Sequence, residues 1–152
     1  MQRLSILCSS LLIVTMIACQ KKKEEETTKV FTSGQAASFV LGQSTFSGAS
    51  TALTATGMNV PSAVTVAASG AVYTAEQNNH RVLGFSAAPT SNGETATTVL
   101  GDNSFTWQGT GSTADEMNSP SGVSAYGTQL FVADSSNARV LIFNALTVGA
   151  SA

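Results

Sequence analysis

An internal repeat constrains the fold of this chain more than any other feature. Short motifs of the first half return in the second half, 59 residues later up to Val64 and Val123, and 58 residues later from Tyr73 and Phe131 onward. A fixed period of this size indicates stacked copies of one small structural unit. The matched segments are 40–42 with 99–101, 58–61 with 117–120, and 81–83 with 139–141.

Short apolar runs bounded by turn residues predict β-strands within each unit. These runs are residues 63–66, 71–75, 81–85 and 97–100 in the first unit, and 122–125, 129–133 and 139–143 in the second. Ser38–Leu41 matches the run at 97–100 and predicts one more outer strand before the first unit. Runs such as Val140–Phe143 are apolar at every position, as in a sheet covered on both faces. Four short antiparallel strands per unit, stacked face to face, predict an all-β fold of β-propeller blades.

The second unit contains Pro120-x-Gly122-Val123, then Leu130–Asp134, then Asn137–Val140. This pattern resembles the NHL repeat, as does the matching pattern of the first unit. There, Ala63 and Glu76 depart from the Gly and Asp of the family, and His80 keeps its His. The resemblance covers both units, about residues 40–98 and 99–152. It implies NHL-type propeller blades, in a family that mostly binds proteins or other ligands and only occasionally catalyses.

Two blades are too few to close a ring, since propellers have about four to eight. The sequence predicts one outer strand, then a unit of four strands, then a unit of three strands, so the last sheet lacks its outer strand. Two interpretations stay open. The chain is a piece of a longer propeller, or two or three copies form a homo-oligomer in which Ser38–Leu41 of one copy completes the sheet of its neighbour.

The first 29 residues precede the repeats. A short positive start and the apolar run Leu4–Ala18 predict a signal peptide at residues 1–18. The small residue before Cys19 resembles the lipobox of bacterial lipoproteins, although Met16 departs from its usual leucine-like residue. This resemblance implies a lipid on Cys19 that anchors the protein to a membrane of the cell envelope, at the outer membrane or the cell surface. A plain cleaved signal is the alternative.

Residues 19–29 predict a solvated tether, because this charged block has no apolar side chain to bury. Residues 30–152, which hold both repeats, contain no lysine and only Arg81 and Arg139 as basic residues besides His80. This composition argues against nucleic-acid binding, which needs clustered basic residues. The same span has no cysteine, which excludes disulfides, thiolate metal sites and cysteine nucleophiles.

Each unit has a carboxylate and an arginine at the two ends of a predicted hairpin: Glu76 with Arg81, and Asp134 with Arg139. At the end of a strand, Asp134 is in position to accept backbone amides of the tight turn through Asn137. The arginine five residues later is close enough to pair with the carboxylate. We predict that these four residues lock the hairpins structurally. Direct contact with a ligand is the alternative.

The long connections at residues 43–60 and 102–119 are where we expect a functional site, because structureless connections of this length are uncommon in compact domains. Phe46 and Phe105 recur at the same place, which favours anchoring against a neighbouring blade over contact with a ligand. Trp107 has no aromatic counterpart and is the leading candidate for contact with a sugar or peptide. Simple packing of this tryptophan is the alternative.

The sequence contains no catalytic or metal-binding motif. His80 is the sole histidine, which excludes a multi-histidine zinc site within one chain. There is no GxSxG serine, P-loop or calcium loop, and we interpret Asp115-Glu116 as a solvated acidic pair. We expect no cofactor, and a binding or scaffolding function toward an unknown protein or glycan. A fragment of a metal-assisted lyase or lactonase propeller, or a truncated product without independent function, is the alternative.

Overall fold

The structure is a computed structural model that describes residues 30–144. Residues 30–36 fall in a unit of their own and contain a turn in which the Gln35 amide donates to the Thr32 carbonyl at 3.0 Å. The predicted signal peptide, Cys19 and the tether lie outside the described residues. Among the described residues, no helix has the length and apolar character that crossing a membrane requires.

Seven strands form two antiparallel sheets, in the orders β1-β2-β3-β4 (sheet 1) and β5-β6-β7 (sheet 2). The all-β prediction is confirmed, and each strand lies at a predicted apolar run. The bounds in sheet 1 are β1 Pro61–Val66, β2 Val72–Glu76, β3 Arg81–Phe85 and β4 Thr98–Leu100. The bounds in sheet 2 are β5 Pro120–Tyr126, β6 Gln129–Asp134 and β7 Arg139–Phe143, with a 3-10 turn at Ser135–Asn137.

The repeat in the sequence is also a repeat in the backbone. A proline is the first residue of both β1 and β5, and each strand has a register shift directly after it. Val60 and Ser119, just before these prolines, have φ values of +52° and +53°. Residues other than glycine rarely adopt this left-handed conformation. Its recurrence at matched positions indicates that both units fold to the same local geometry.

Each sheet has two faces, named here by the residues that share them across the strands. The front face of sheet 1 carries Val64, Val66, Val72, Leu83 and Phe85, and its back face carries Ala63, Tyr73, Ala75 and Val82. In sheet 2, the matching front face carries Val123, Ala125, Leu130, Val132, Leu141 and Phe143, and the back face carries Phe131, Ala133, Val140 and Ile142.

The main core lies between the back face of sheet 1 and the front face of sheet 2. Val82, Leu130 and Val132 are the largest strand residues buried there, together with Met117 from the second long connection. A second cluster lies on the front face of sheet 1, where Met58 of the first long connection packs against Leu83 and neighbouring apolar residues. Each long connection therefore covers the front face of the sheet that follows it in the chain.

The prediction of an outer strand at Ser38–Leu41 is wrong for this chain by itself, since these residues form no strand. A strand needs a neighbour with free backbone groups, and the described residues offer none at this place. The Val40 amide instead donates to Asn92 Oδ1 at 3.0 Å, and its carbonyl accepts from the Gly93 amide at 2.9 Å.

Candidate functional site

In sheet 1, Glu76 at the end of β2 and Arg81 at the start of β3 form an ion pair, and both side chains are fully buried. The guanidinium group also donates to three carbonyls of the long connections. These bonds reach Phe105 at 2.6 Å, Thr54 at 2.8 Å and Gly57 at 3.2 Å. Charge-assisted hydrogen bonds of this kind are stronger than neutral ones. Arg81 therefore joins a hairpin to two loops.

Sheet 2 repeats this arrangement. Arg139 Nε lies 2.8 Å from Asp134 Oδ2, with the aspartate fully buried and the arginine side chain 28% exposed. Arg139 Nη2 donates to the carbonyls of Thr113 at 2.7 Å and Glu116 at 2.9 Å, which are the matching positions to Thr54 and Gly57. Arg81 and Arg139, two of the four residues predicted to lock the hairpins, thus donate to carbonyls of the long connections, a role that sequence reasoning missed.

The partners of the carboxylates differ from those expected. Asp134 does not accept backbone amides of its own turn; it accepts the side-chain amide of Asn137 at 2.9 Å and the backbone amide of Asn118 at 2.6 Å. Glu76 accepts the matching Asn59 amide at 3.0 Å. The amide two residues before each proline has no ladder partner, so a buried carboxylate satisfies it.

The two carboxyl groups have pKa values shifted in opposite directions. Burial raises the pKa of Glu76 above its usual 4.5, against the opposing effects of Arg81 and the Asn59 amide. Burial also acts to raise the pKa of Asp134, but the hydrogen bonds from Asn118, Asn137 and Arg139 outweigh it and hold the value below 3.8. Asp134 is therefore the more firmly ionised partner.

A pocket of about 250 Å³ lies in the second long connection, and the indole of Trp107 is part of its wall. Trp107 is 64% exposed, so most of its surface has no packing against the described residues. Three carboxylates share the pocket with the indole. The lining residues are Gly101, Asp102, Asn103, Trp107, Gly109, Asp115 and Glu116.

The carboxylates of the pocket are held in place by short local bonds. Asp102 Oδ1 accepts the amides of Asn103 at 2.6 Å and Ser104 at 3.2 Å, whereas its buried Oδ2 has no partner among the described residues. The Thr113 hydroxyl lies 2.7 Å from Asp115 Oδ1 and 2.8 Å from Glu116 Oε2. Its hydrogen bond lowers the pKa of Asp115, which favours the ionised form.

Gly109 allows the indole to take its position. A Cβ atom at Gly109 would lie 2.7 Å from Trp107 Nε1, closer than such atoms approach, so the indole would have to move. The matching residue of the first unit is Ser50. Sequence reasoning singled out Trp107 but not the association of Trp107 with Asp102, Asp115 and Glu116, since nothing in their spacing shows that a loop brings them together.

The other two aromatic candidates lie outside this pocket. Phe105 is partly buried and packs against the apolar cluster on the front face of sheet 1, in keeping with the anchoring role expected of it. Phe46, at the matching place of the first unit, is 57% exposed. The structure therefore brings neither phenylalanine to Trp107.

His80 links the two units through a hydrogen bond. Its Nδ1 accepts the backbone amide of Ser119 at 3.0 Å, and burial lowers its pKa below 6.5. Within residues 30–144, no group of three or more histidine, cysteine, aspartate or glutamate side chains is arranged to hold a metal ion.

Comparisons with known proteins add no relative from which a role could be transferred. No protein family model matches the chain. No curated protein matches it either.

Proposed function

We propose that this protein is a lipid-anchored envelope protein of NHL-type β-propeller blades that binds a protein or glycan through the pocket beside Trp107. The observation that carries the binding role is the 64% exposed indole standing over a pocket lined by Asp102, Asp115 and Glu116. Exposed tryptophans with a pocket beside them are typical anchors of binding surfaces, because burial by a ligand removes a large apolar area from water.

Charge narrows the class of ligand. The ion pairs with Glu76 and Asp134 engage both arginines of residues 30–144, and no lysine lies in that span. The three carboxylates of the pocket therefore have no cationic partner among the described residues. An ammonium or guanidinium group suits this site, since carboxylates attract it and the indole face adds a cation–π contribution of about 0.5–2 kcal/mol. Basic peptides and amino sugars carry such groups.

The loop that forms the pocket is fixed before any ligand arrives. Arg139 bonds to the carbonyls of Thr113 and Glu116, and the side chain of Asn137 donates to the Gly111 carbonyl at 2.7 Å. A loop that is already ordered loses little conformational entropy on binding. The hairpin lock therefore supports recognition indirectly, by holding the carboxylates in place.

Tryptophan fluorescence tests the binding role directly, because Trp107 is the only tryptophan in the chain. The purified full chain would be titrated with trilysine and with a glucosamine trimer. The Nε-acetylated peptide and the N-acetylated trimer serve as uncharged controls. We expect a saturable change in fluorescence with at least one cationic probe, weakened about tenfold or more by Asp115→Asn with Glu116→Gln, and a smaller response to the acetylated forms.

Two variants with unchanged charge sharpen the test. Gly109→Ala displaces the indole and should weaken binding, whereas Phe46→Ala removes an exposed aromatic outside the pocket and should leave it unchanged. Equal binding by acetylated and free amine probes would contradict the cationic class of ligand. No response to any of the four probes would contradict the pocket as the binding site.

The anchoring part of the proposal is tested separately by Cys19→Ala. We expect this change to move the protein from the membrane fraction to the soluble fraction, because the lipid would have no attachment point. A membrane fraction unchanged by the substitution would contradict anchoring through Cys19.

A further inference from the structure

Within residues 30–144, two apolar patches are exposed: Val64 and Val66 on the front face of sheet 1, and Val140 and Ile142 on the back face of sheet 2. The rest of the front face of sheet 1, at Val72, Leu83 and Phe85, is buried beside Met58. The internal core joins the back face of sheet 1 to the front face of sheet 2. The front face of sheet 1 and the back face of sheet 2 are the remaining pair. In the repeat, the front face of sheet 1 matches the front face of sheet 2, and the back face of sheet 2 matches the back face of sheet 1.

Apolar residues on these two faces are more exposed than the residues at the matching positions of the other sheet. On the back face of sheet 2, Val140 is 59% exposed, whereas the matching Val82 is fully buried. Ile142 is 53% exposed on the same face. On the front face of sheet 1, Val64 is 67% exposed, whereas the matching Val123 is half-buried against the core. Contiguous exposed apolar side chains of this kind mark interaction surfaces.

The edge of sheet 2 is incomplete at a place where the chain carries a matching segment. In sheet 1, β4 covers the edge of β3, with Thr98 opposite Gly84 and Val99 opposite Leu83. In sheet 2, no strand among residues 30–144 pairs with β7 on that side. Residues 39–41 match 98–100 in the repeat, and no backbone hydrogen bond of Phe39 or Leu41 is found within the described residues.

Arg139 lacks one contact that Arg81 has. Arg81 Nη1 donates to the carbonyl of Phe105, whose ring packs against the front face of sheet 1. The residue one repeat before Phe105 is Phe46, whose ring is exposed. Arg139 Nη1 bonds instead to Ser112, and its side chain is 28% exposed where that of Arg81 is fully buried.

We propose that a second copy of this chain docks head to tail on sheet 2. The front face of its sheet 1 covers Val140 and Ile142, and its Ser38–Phe46 segment lies along β7. In this arrangement Phe39 of the second copy lies opposite Ile142, its Val40 lies opposite Leu141, and its Phe46 carbonyl accepts from Arg139. Strand addition of this kind satisfies the open backbone groups of β7.

A second copy is the occupant because it supplies every missing element at once. The covering face, the edge strand and the phenylalanine all occur in the chain in the order and spacing of the internal contact. Heterologous contacts of this kind generate a closed ring when the rotation between units closes. Two or three copies bring together four or six sheets, within the range of propellers.

Disulfide trapping tests the register of this contact. The full chain with Phe39→Cys and Ile142→Cys should form an intermolecular disulfide on mild oxidation, giving a discrete dimer or trimer on a non-reducing gel. The parent chain controls for Cys8 and Cys19. Phe39→Cys with Tyr126→Cys is the matched control, because Tyr126 is 80% exposed on β5, at the opposite edge of sheet 2.

Solution mass tests the assembly itself. Light scattering on the full chain in detergent, corrected for bound detergent, should give a discrete dimer or trimer. Val140→Asp should convert it to a monomer with unchanged far-ultraviolet circular dichroism, because the side chain is exposed in the single chain. Thr128→Asp, in the exposed turn between β5 and β6, should keep the wild-type mass. A wild-type monomer at all concentrations, or trapping in the control pair equal to that at Phe39 and Ile142, would overturn the proposal.

Discussion

Sheets 1 and 2 are built from the same repeat and differ mainly in what covers them. Val82 and Val140 occupy matching strand positions, yet the first is fully buried and the second is 59% exposed. Strands that are apolar at every position are typical of a sheet packed between neighbours on both faces. Within residues 30–144 the two sheets make one contact with each other, so each sheet has one face without a sheet against it. The matching valines therefore differ in exposure because of what packs against each sheet, and not because of their strand pattern.

The ion pairs show the same contrast at the level of charge. Arg81 is closed in by two loops, and burial raises the pKa of its partner Glu76. Arg139 has one loop fewer around it, and hydrogen bonds hold the pKa of Asp134 low despite burial. The ion pair of sheet 1 is the more deeply buried one. It therefore has the larger desolvation free energy, since that cost rises as water is excluded.

The largest difference between the sheets is expected from removing each arginine. Arg81→Ala leaves a buried carboxylate and three carbonyls without their donor, and should lower the free energy of unfolding by about 3–5 kcal/mol. Arg139→Ala, partly solvated, should lower it by about 1–3 kcal/mol. Urea denaturation of both variants measures the two losses. Arg81→Lys, which keeps the charge, provides a folded comparison if Arg81→Ala does not fold. Equal losses in monomeric protein would contradict the stronger role assigned to the buried arginine.

Truncating the matched valines should give the next largest difference. Val82→Ala opens a cavity in the core and should cost about 2 kcal/mol. Val140→Ala should cost less than about 0.5 kcal/mol in the monomer, as most exposed substitutions do. Thermal or urea unfolding at low protein concentration measures both. A loss at Val140 that grows with protein concentration would support the proposed contact, because the second copy would then cover this side chain.

His80 should give a pH-dependent difference, since the second unit has Ala138 at the matching position with nearly the same φ. Because its pKa is lowered below 6.5 by burial, the unfolded chain takes up the proton first as the pH falls. The stabilising contribution is therefore full above about pH 6.5 and is lost as the pH falls below it. Unfolding between pH 8 and 5 should show a flatter profile for His80→Ala, with a loss of about 1 kcal/mol at pH 8. Parallel profiles would show that His80 does not couple to folding.

Trp107→Ala should have the smallest effect on stability, within about 0.5 kcal/mol of the wild type, because most of its side chain is already in water. Phe105→Ala, two residues earlier and packed against sheet 1, should cost about 1–3 kcal/mol through lost burial. The free energies of unfolding of the two variants are compared in urea. A large loss for Trp107→Ala would assign the indole to packing and remove the support for the binding pocket.

Local pattern was enough to predict the strands but not the site. Apolar runs between turn residues located β1 to β7, because side-chain periodicity and turn chemistry act over a few neighbouring residues. The prediction for Ser38–Leu41 was wrong because an outer strand depends on a distant partner strand and not only on its own sequence. Val40 bonds to Asn92 and Gly93 instead. The bond from the Asn118 amide to Asp134 was also not predicted, because it joins residues 16 positions apart in the sequence.

The repeat can be read directly from the order of the residues. The seven strands, and the pairing of Glu76 with Arg81 and of Asp134 with Arg139, could be predicted because each depends on residues at most a hairpin apart. Which faces are covered, and that Asp102, Asp115 and Glu116 meet beside Trp107, depends on the tertiary structure. Loops without periodicity take their course from the carbonyls and carboxylates that fix them, and burial depends on what lies against a sheet. Neither the course of a loop nor the burial of a sheet face can therefore be read from the residues of a single strand.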